Sequence, residues 1–151
     1  MTKGTLLPSD RAAVVATIDP DAYTAATYVS DWVSMADYEK IMAIVMAGDL
    51  GASATLDAKL RQATDSSGTG AKDITGKAIT QLTQAGTDSD KQAVINCTAE
   101  ELDVAGGFTH VALSMTVATA TSDAGAIIIG LNPRFGPASD NDLASVDEIV
   151  A

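Results

Sequence analysis

Side chains able to do chemistry are few in this 151-residue chain, and their surroundings argue against catalysis. His110 is the one histidine and Cys97 the one cysteine. His110 lies in the alternating run 108–119 with Ser114 and Thr116 on its own parity. A serine–histidine–acid hydrolytic site would therefore have to draw partners from elsewhere, and no Gly-x-Ser-x-Gly elbow presents a nucleophile. The expected role of His110 is a hydrogen bond at a surface or interface. Cys97 shares strand parity with Ala93 and Ile95, which predicts a buried free thiol, and one cysteine can form no internal disulfide. A reducing site of synthesis is consistent with that.

The acidic turns are equally plain. Asp65, Ser67 and Thr69 alternate like the start of an EF-hand loop, but its twelfth position is Gly76, where a bidentate glutamate is required. Asp88 with Asp90, and Asp140 with Asp142, read as solvated loops. Gly68 and Gly70 precede neither a Lys-Ser nor a Lys-Thr pair, so they do not form a phosphate-binding loop. The expectation is no enzyme: no catalytic residue, no cofactor and no metal ligand.

Charge narrows the partners. The formal net charge is −11, from 20 acidic and 9 basic residues, and the basic positions are scattered along the chain. Phosphate backbones are bound by clustered cations, so nucleic acid is not an expected partner. Nor is a membrane, since no apolar run is long enough to span one and the N-terminal MTKGTLLPSDR lacks the apolar core of a leader. The expected product is soluble and does not pass through a secretory route.

Periodicity predicts the elements that hold these residues. Strands are expected at 12–18, 23–33, 38–47, 53–63, 79–83, 91–98, 108–119 and 124–131. In the clearest, Val111, Leu113, Met115 and Val117 take one face, while Leu56, Ala58 and Leu60 alternate with polar residues in another. The turn Thr64–Gly70 follows that second strand in the manner of a hairpin. Tyr38, Ile41, Met42 and Val45 also fit a helical stripe, so propensity alone leaves 38–47 open. One helical turn is expected over 98–103, with Thr98 as cap and Glu101 three residues on. The predicted fold is all-β, a jelly-roll-like antiparallel sandwich with extended terminal arms: residues 1–11, a domain over 12–131, and residues 132–151.

Two segments, 41–47 and 126–129, are apolar at every position. A sandwich covers only one face of each sheet, so a second layer or another subunit must cover the other. Candidate interface residues are therefore Ile41, Ile44, Ile127 and Ile129. In the C-terminal arm, Leu143, Val146, Ile149 and Val150 are apolar anchors between acidic residues. Aromatic residues are sparse, and Trp32 reads as core, which disfavours a sugar-binding surface.

Residues 28–150 carry a resemblance in three stretches: SDWVSMADYEKIMAIVMAGDLGASATLDAKLRQATDSSGTGAKDITGKAITQLTQAG, AEELDVAGGFTHVALSMTV and NPRFGPASDNDLASVDEIV. Together they resemble the decoration, or cement, and minor capsid proteins of tailed bacteriophages. The resemblance implies a jelly-roll-like sandwich and a homotrimer on the outer surface of an icosahedral shell, made in the bacterial host cytoplasm. It implies a major capsid protein of the HK97 type as partner, and a mechanical role in resisting DNA pressure. Relatives often place Arg or Lys shortly after the corner aromatic, where this chain has Phe108, Thr109 and His110. The alternative expectation is a receptor- or carbohydrate-binding virion module.

Overall fold

Ten strands follow a single helical turn, α1 (Pro8–Arg11), in the computed structural model, which describes residues 6–151. They are β1 (Ala12–Tyr23), β2 (Ala26–Val29), β3 (Val33–Ser34), β4 (Tyr38–Ala47), β5 (Thr55–Ala63), β6 (Lys72–Ala78), β7 (Leu82–Thr83), β8 (Gln92–Thr98), β9 (His110–Ala118) and β10 (Ser122–Pro133). One sheet has the order β1-β10-β4-β8; the other runs β2-β9-β5-β6, with β3 also on β9 and β7 on β5. Every pairing is antiparallel.

That order is a jelly roll. The principal strands nest as β1 with β10, β2 with β9, β4 with β8 and β5 with β6, so the chain behaves like one long hairpin wrapped around a core. Only the β5–β6 link stays within a sheet among these principal strands; the others cross the sandwich. Wrapping both ends inward leaves β1 beside β10, which brings the C-terminal segment onto β1.

Apart from Trp32, which is only half-buried, the expected core is the observed one. Leu56, Leu60, Val111, Leu113, Met115 and Val117 are all buried. In register, Leu60 lies opposite Leu113 and Leu56 opposite Val117, which are the cross-strand pairs that stabilise a sheet. From the facing sheet come Ile41, Val45, Ile95 and Ile128. Tyr38 is buried too: its hydroxyl donates to the Ala138 carbonyl at 2.8 Å, and its ring lies over Gly130. A Cβ at position 130 would sit 2.8 Å from that ring, so the strand needs glycine there.

Several boundaries differ from expectation for physical reasons. The ambiguous segment 38–47 is a strand, because β8 and β10 pair it on both sides. β1 continues past Ile18 to Tyr23, since a register shift between Ile18 and Asp21 absorbs Pro20, which has no N–H to give a ladder. The expected strand 23–33 is divided into β2 and β3, and Ser30 bridges the gap, its N–H donating to the Leu113 carbonyl at 2.9 Å. Of 79–83 only Leu82 and Thr83 are in strand. β6 was not anticipated. The corner at 98–103 does form, as a 3-10 turn over Ala99–Glu101, and the Thr98 N–H donates to Glu101 Oε2 at 2.8 Å.

Candidate functional site: an apolar sheet face

The two sheets present opposite chemistry to their surroundings. On the outer face of the β2-β9-β5-β6 sheet stand Asp57, Lys59 and Arg61, opposite Thr116, Ser114 and Ala112. Several of these polar groups pair: Lys59 with Asp73 at 2.7 Å, Gln81 donating to Asp57 at 2.7 Å, and the Thr27 and Thr116 hydroxyls at 2.8 Å. Ala112 and Ser114 on this face are buried, and the charged and hydroxyl-bearing side chains make up its exposed part.

The outer face of the β1-β10-β4-β8 sheet is apolar. Strict alternation buries Ile41, Ala43 and Val45 of β4 and turns Met42, Ile44 and Met46 outward, while β10 buries Ala126 and Ile128 and turns out Ile127 and Ile129. The register lines these up in rows. Thr17, Ile127, Ile44 and Val94 form one, and Val14, Ile129, Met42 and Asn96 the next. Met46, near the end of β4, and Val94, on the edge strand β8, are 51% and 54% exposed, a large apolar exposure on one side of the sheet.

Part of that face is covered by the chain's own C-terminal segment. Asp142 Oδ1 accepts the Val14 N–H at 2.7 Å, and the Leu143 N–H donates to the Val14 carbonyl at 2.8 Å, so residues 142–143 cap the β1 edge. Beyond them Val146 and Ile149 flank a recess of about 240 Å³ with Val14 and Ile129. Ile44, Met46, Ile127 and Val94 lie outside this cover.

The sequence-derived interface residues thus divide. Ile44, Ile127 and Ile129 share the outer face, and Leu143, Val146 and Ile149 lie in the segment docked at its β1 side, with Val150 exposed beyond. Ile41 is a correction: at 1% exposure it belongs to the core, because parity places it with Ala43 and Val45. Met42, Met46 and Val94 were missed. Their signal was present in Met42 and Met46 sharing the parity of Ile44, but a wholly apolar run does not say which parity faces out.

The residues considered for chemistry are otherwise engaged. His110 Nδ1 lies 2.8 Å from Thr109 Oγ1. Cys97 is buried, and that burial pushes its thiol up to about 11, which suppresses the thiolate. Asp65 Oδ1 accepts the Ser67 and Thr69 N–H groups at 2.9 and 3.1 Å; the Thr69 bonds are the main cause holding its carboxyl below the usual range. Asp88 accepts the Thr83 N–H and the Lys91 ammonium, each at 3.0 Å. Among the described residues no three His, Cys, Asp or Glu side chains gather as a metal site. A cation does reach the corner aromatic, from β6: Lys72 Nζ stands 4.1 Å from the Phe108 ring centre and pairs with Asp103 at 2.6 Å. Trp32 is half-buried, packed against Gly68 in the β5–β6 turn, where φ is +82°.

His110→Ala and Cys97→Ser are each expected to leave the fold largely intact. The check is urea unfolding beside a hydrolase screen; a specific hydrolytic activity lost in His110→Ala would reverse that assignment.

No protein-family model matches the chain, and no curated protein matches its sequence. Among solved structures the chain is similar to a chain of the Broad Bean Stain Virus structure, at 10% identity and TM-score 0.44, covering 90% of this chain and 93% of that one. A Cowpea Mosaic Virus empty virus-like particle gives 10% identity and TM-score 0.42 over 87% and 85% of the two chains. A chain of infectious bursal disease virus, strain Gx, gives 11% and 0.46, over 92% of this chain but 38% of that one. The jelly-roll assignment rests on strand order and pairing alone.

Proposed function

We propose that this chain is a structural virion protein, a decoration protein that adds as a homotrimer to the outer surface of a preformed HK97-type bacteriophage capsid and stabilises it. The observation that carries the reading is the contrast between the two outer faces: one polar and internally paired, the other an apolar plane only partly covered by its own C-terminal segment. A face of that kind exists to be covered. A stable contact buries at least about 1,000 Å² in total. At ~25 cal/mol per Å² of apolar area, even a fraction of that outweighs isolated surface ion pairs. The resemblance of residues 28–150 to phage decoration proteins supplies the partner, the major capsid protein, and the threefold arrangement.

Deleting Ser139–Ala151 removes the cover over Val14 and Ile129 but spares Ala138, the acceptor for Tyr38. Trimer formation or capsid attachment is expected to weaken about tenfold or more, the effect of losing roughly 1.4 kcal/mol of contact, while the core stays folded. The test is light scattering together with co-sedimentation on capsids lacking this protein. A stable monomer for the intact chain, with unchanged capsid binding by the truncated one, would overturn the proposal. A glycan array tests the sugar-binding alternative on the same material.

A further inference from the structure

At the far end of the apolar face, away from the docked C-terminal segment, residues of β1, β4 and β10 line an open groove of about 780 Å³. Its floor is apolar, including Pro20, Met46, Gly125 and Ile127. The concavity depends on Gly125, because a Cβ there would meet the Pro20 Cα at 3.1 Å and begin to fill it. Around the floor stand four carboxylates, Asp19, Asp21, Asp90 and Asp123. None takes part in an ion pair among the described residues, whose bridges use Asp73, Asp88, Asp103 and Glu101 instead. The volume falls in the ordinary range for a ligand site, about 300–1,000 Å³.

We infer that this groove receives an extended segment of a different protein, one that inserts an apolar side chain and carries Lys or Arg on either side of it. The apolar floor supplies the burial, and the rim carboxylates, which make no ion pair among the described residues although Asp19 accepts from the Thr17 hydroxyl and Asp21 from the Ala22 N–H, supply complementary charge, which steers encounter and selects the partner. A second copy of this chain does not fit. Its net charge is −11, and its apolar C-terminal segment is docked on its own β1 and would bring Asp140, Asp142, Asp147 and Glu148 with it, so like charges would meet at the rim. Contacts between copies then fall to the opposite side of the face, around Val14, Ile129 and the C-terminal segment. The inference deepens the proposed function and rests on it for the partner's identity, namely a basic, apolar-centred segment of the shell protein.

The test separates the groove from the capsid. A ten-residue peptide of alternating leucine and lysine is titrated into the full chain by NMR, beside the same peptide with glutamate for lysine. The expected result is methyl shifts at Met46 and Ile127 with the lysine peptide alone. Binding should weaken with salt, and about tenfold or more in the Asp21→Lys, Asp123→Lys double variant. Equal response to both peptides, or shifts confined to other surfaces, would overturn the inference. Wild-type and double-variant protein are then compared on capsids lacking this chain. Wild-type binding with loss in the variant supports the groove as the attachment point. Equal binding by both overturns that role and leaves the proposed function standing, whereas failure of the wild type to bind overturns the proposed function while the peptide titration still decides the chemistry of the groove.

Discussion

Replacing Tyr38 by Ala is expected to lower the unfolding free energy by about 3–5 kcal/mol, the cost of emptying a large aromatic site in a packed core. Three features converge on this side chain. It is buried at the start of β4; its ring occupies the space that Gly130 leaves open; and its hydroxyl holds the Ala138 carbonyl at 2.8 Å. Burial is the main cause pushing the phenol up from its ordinary value, so it remains a protonated donor at neutral pH. Tyr38→Phe separates the two contributions. It keeps the ring over Gly130 but strands a carbonyl, at about 1–3 kcal/mol, and its effect should concentrate in residues 138–143. Urea unfolding gives the totals and hydrogen exchange gives the location. A Tyr38→Ala protein within about 1 kcal/mol of wild type would show that the site collapses freely and that the ring does not anchor the C-terminal segment.

Leu113→Ala is the second large effect, expected at about 2–5 kcal/mol. Leu113 is fully buried on β9, directly opposite the equally buried Leu60 on β5, so truncation leaves a void that two paired strands cannot easily close. Because the residues touch, Leu60→Ala and Leu113→Ala should not be additive, and a double-mutant cycle would give the coupling. A loss below about 1 kcal/mol in thermal or urea unfolding would contradict the packing described for this layer.

Much of the sandwich was legible because alternation is a local signal. β5 and the face of β9 carrying Leu113 followed from it, while the turn at Asp65 and the corner at Thr98 followed from their turn and capping residues. What escaped depends on neighbours distant in sequence. β6 reads as turn because Gly76 has φ +76° and only Ile74 is buried, and its pairing with β5 makes it a strand. The outward direction of Ile44 rather than Ile41 is invisible in a run with no polar residue to break the symmetry. Tyr38 and Ala138 are 100 residues apart, so nothing local to either announces their bond. The groove is the extreme case. It joins residues 17–22, 46–48, 90, 92 and 123–127, and its charge pattern exists only after β1, β4 and β10 have paired.

The central claim is that a trimer of this chain sits on the outside of a capsid, with the apolar face of the β1-β10-β4-β8 sheet covered. A cryo-electron map of the particle encoding it tests that most directly. The account predicts jelly-roll density in groups of three on the outer shell surface, with Ile44, Met46, Ile127 and Val94 in contact with protein. Density for this chain inside the shell or absent from it, or an outer-surface copy with that sheet face open to solvent, would contradict it.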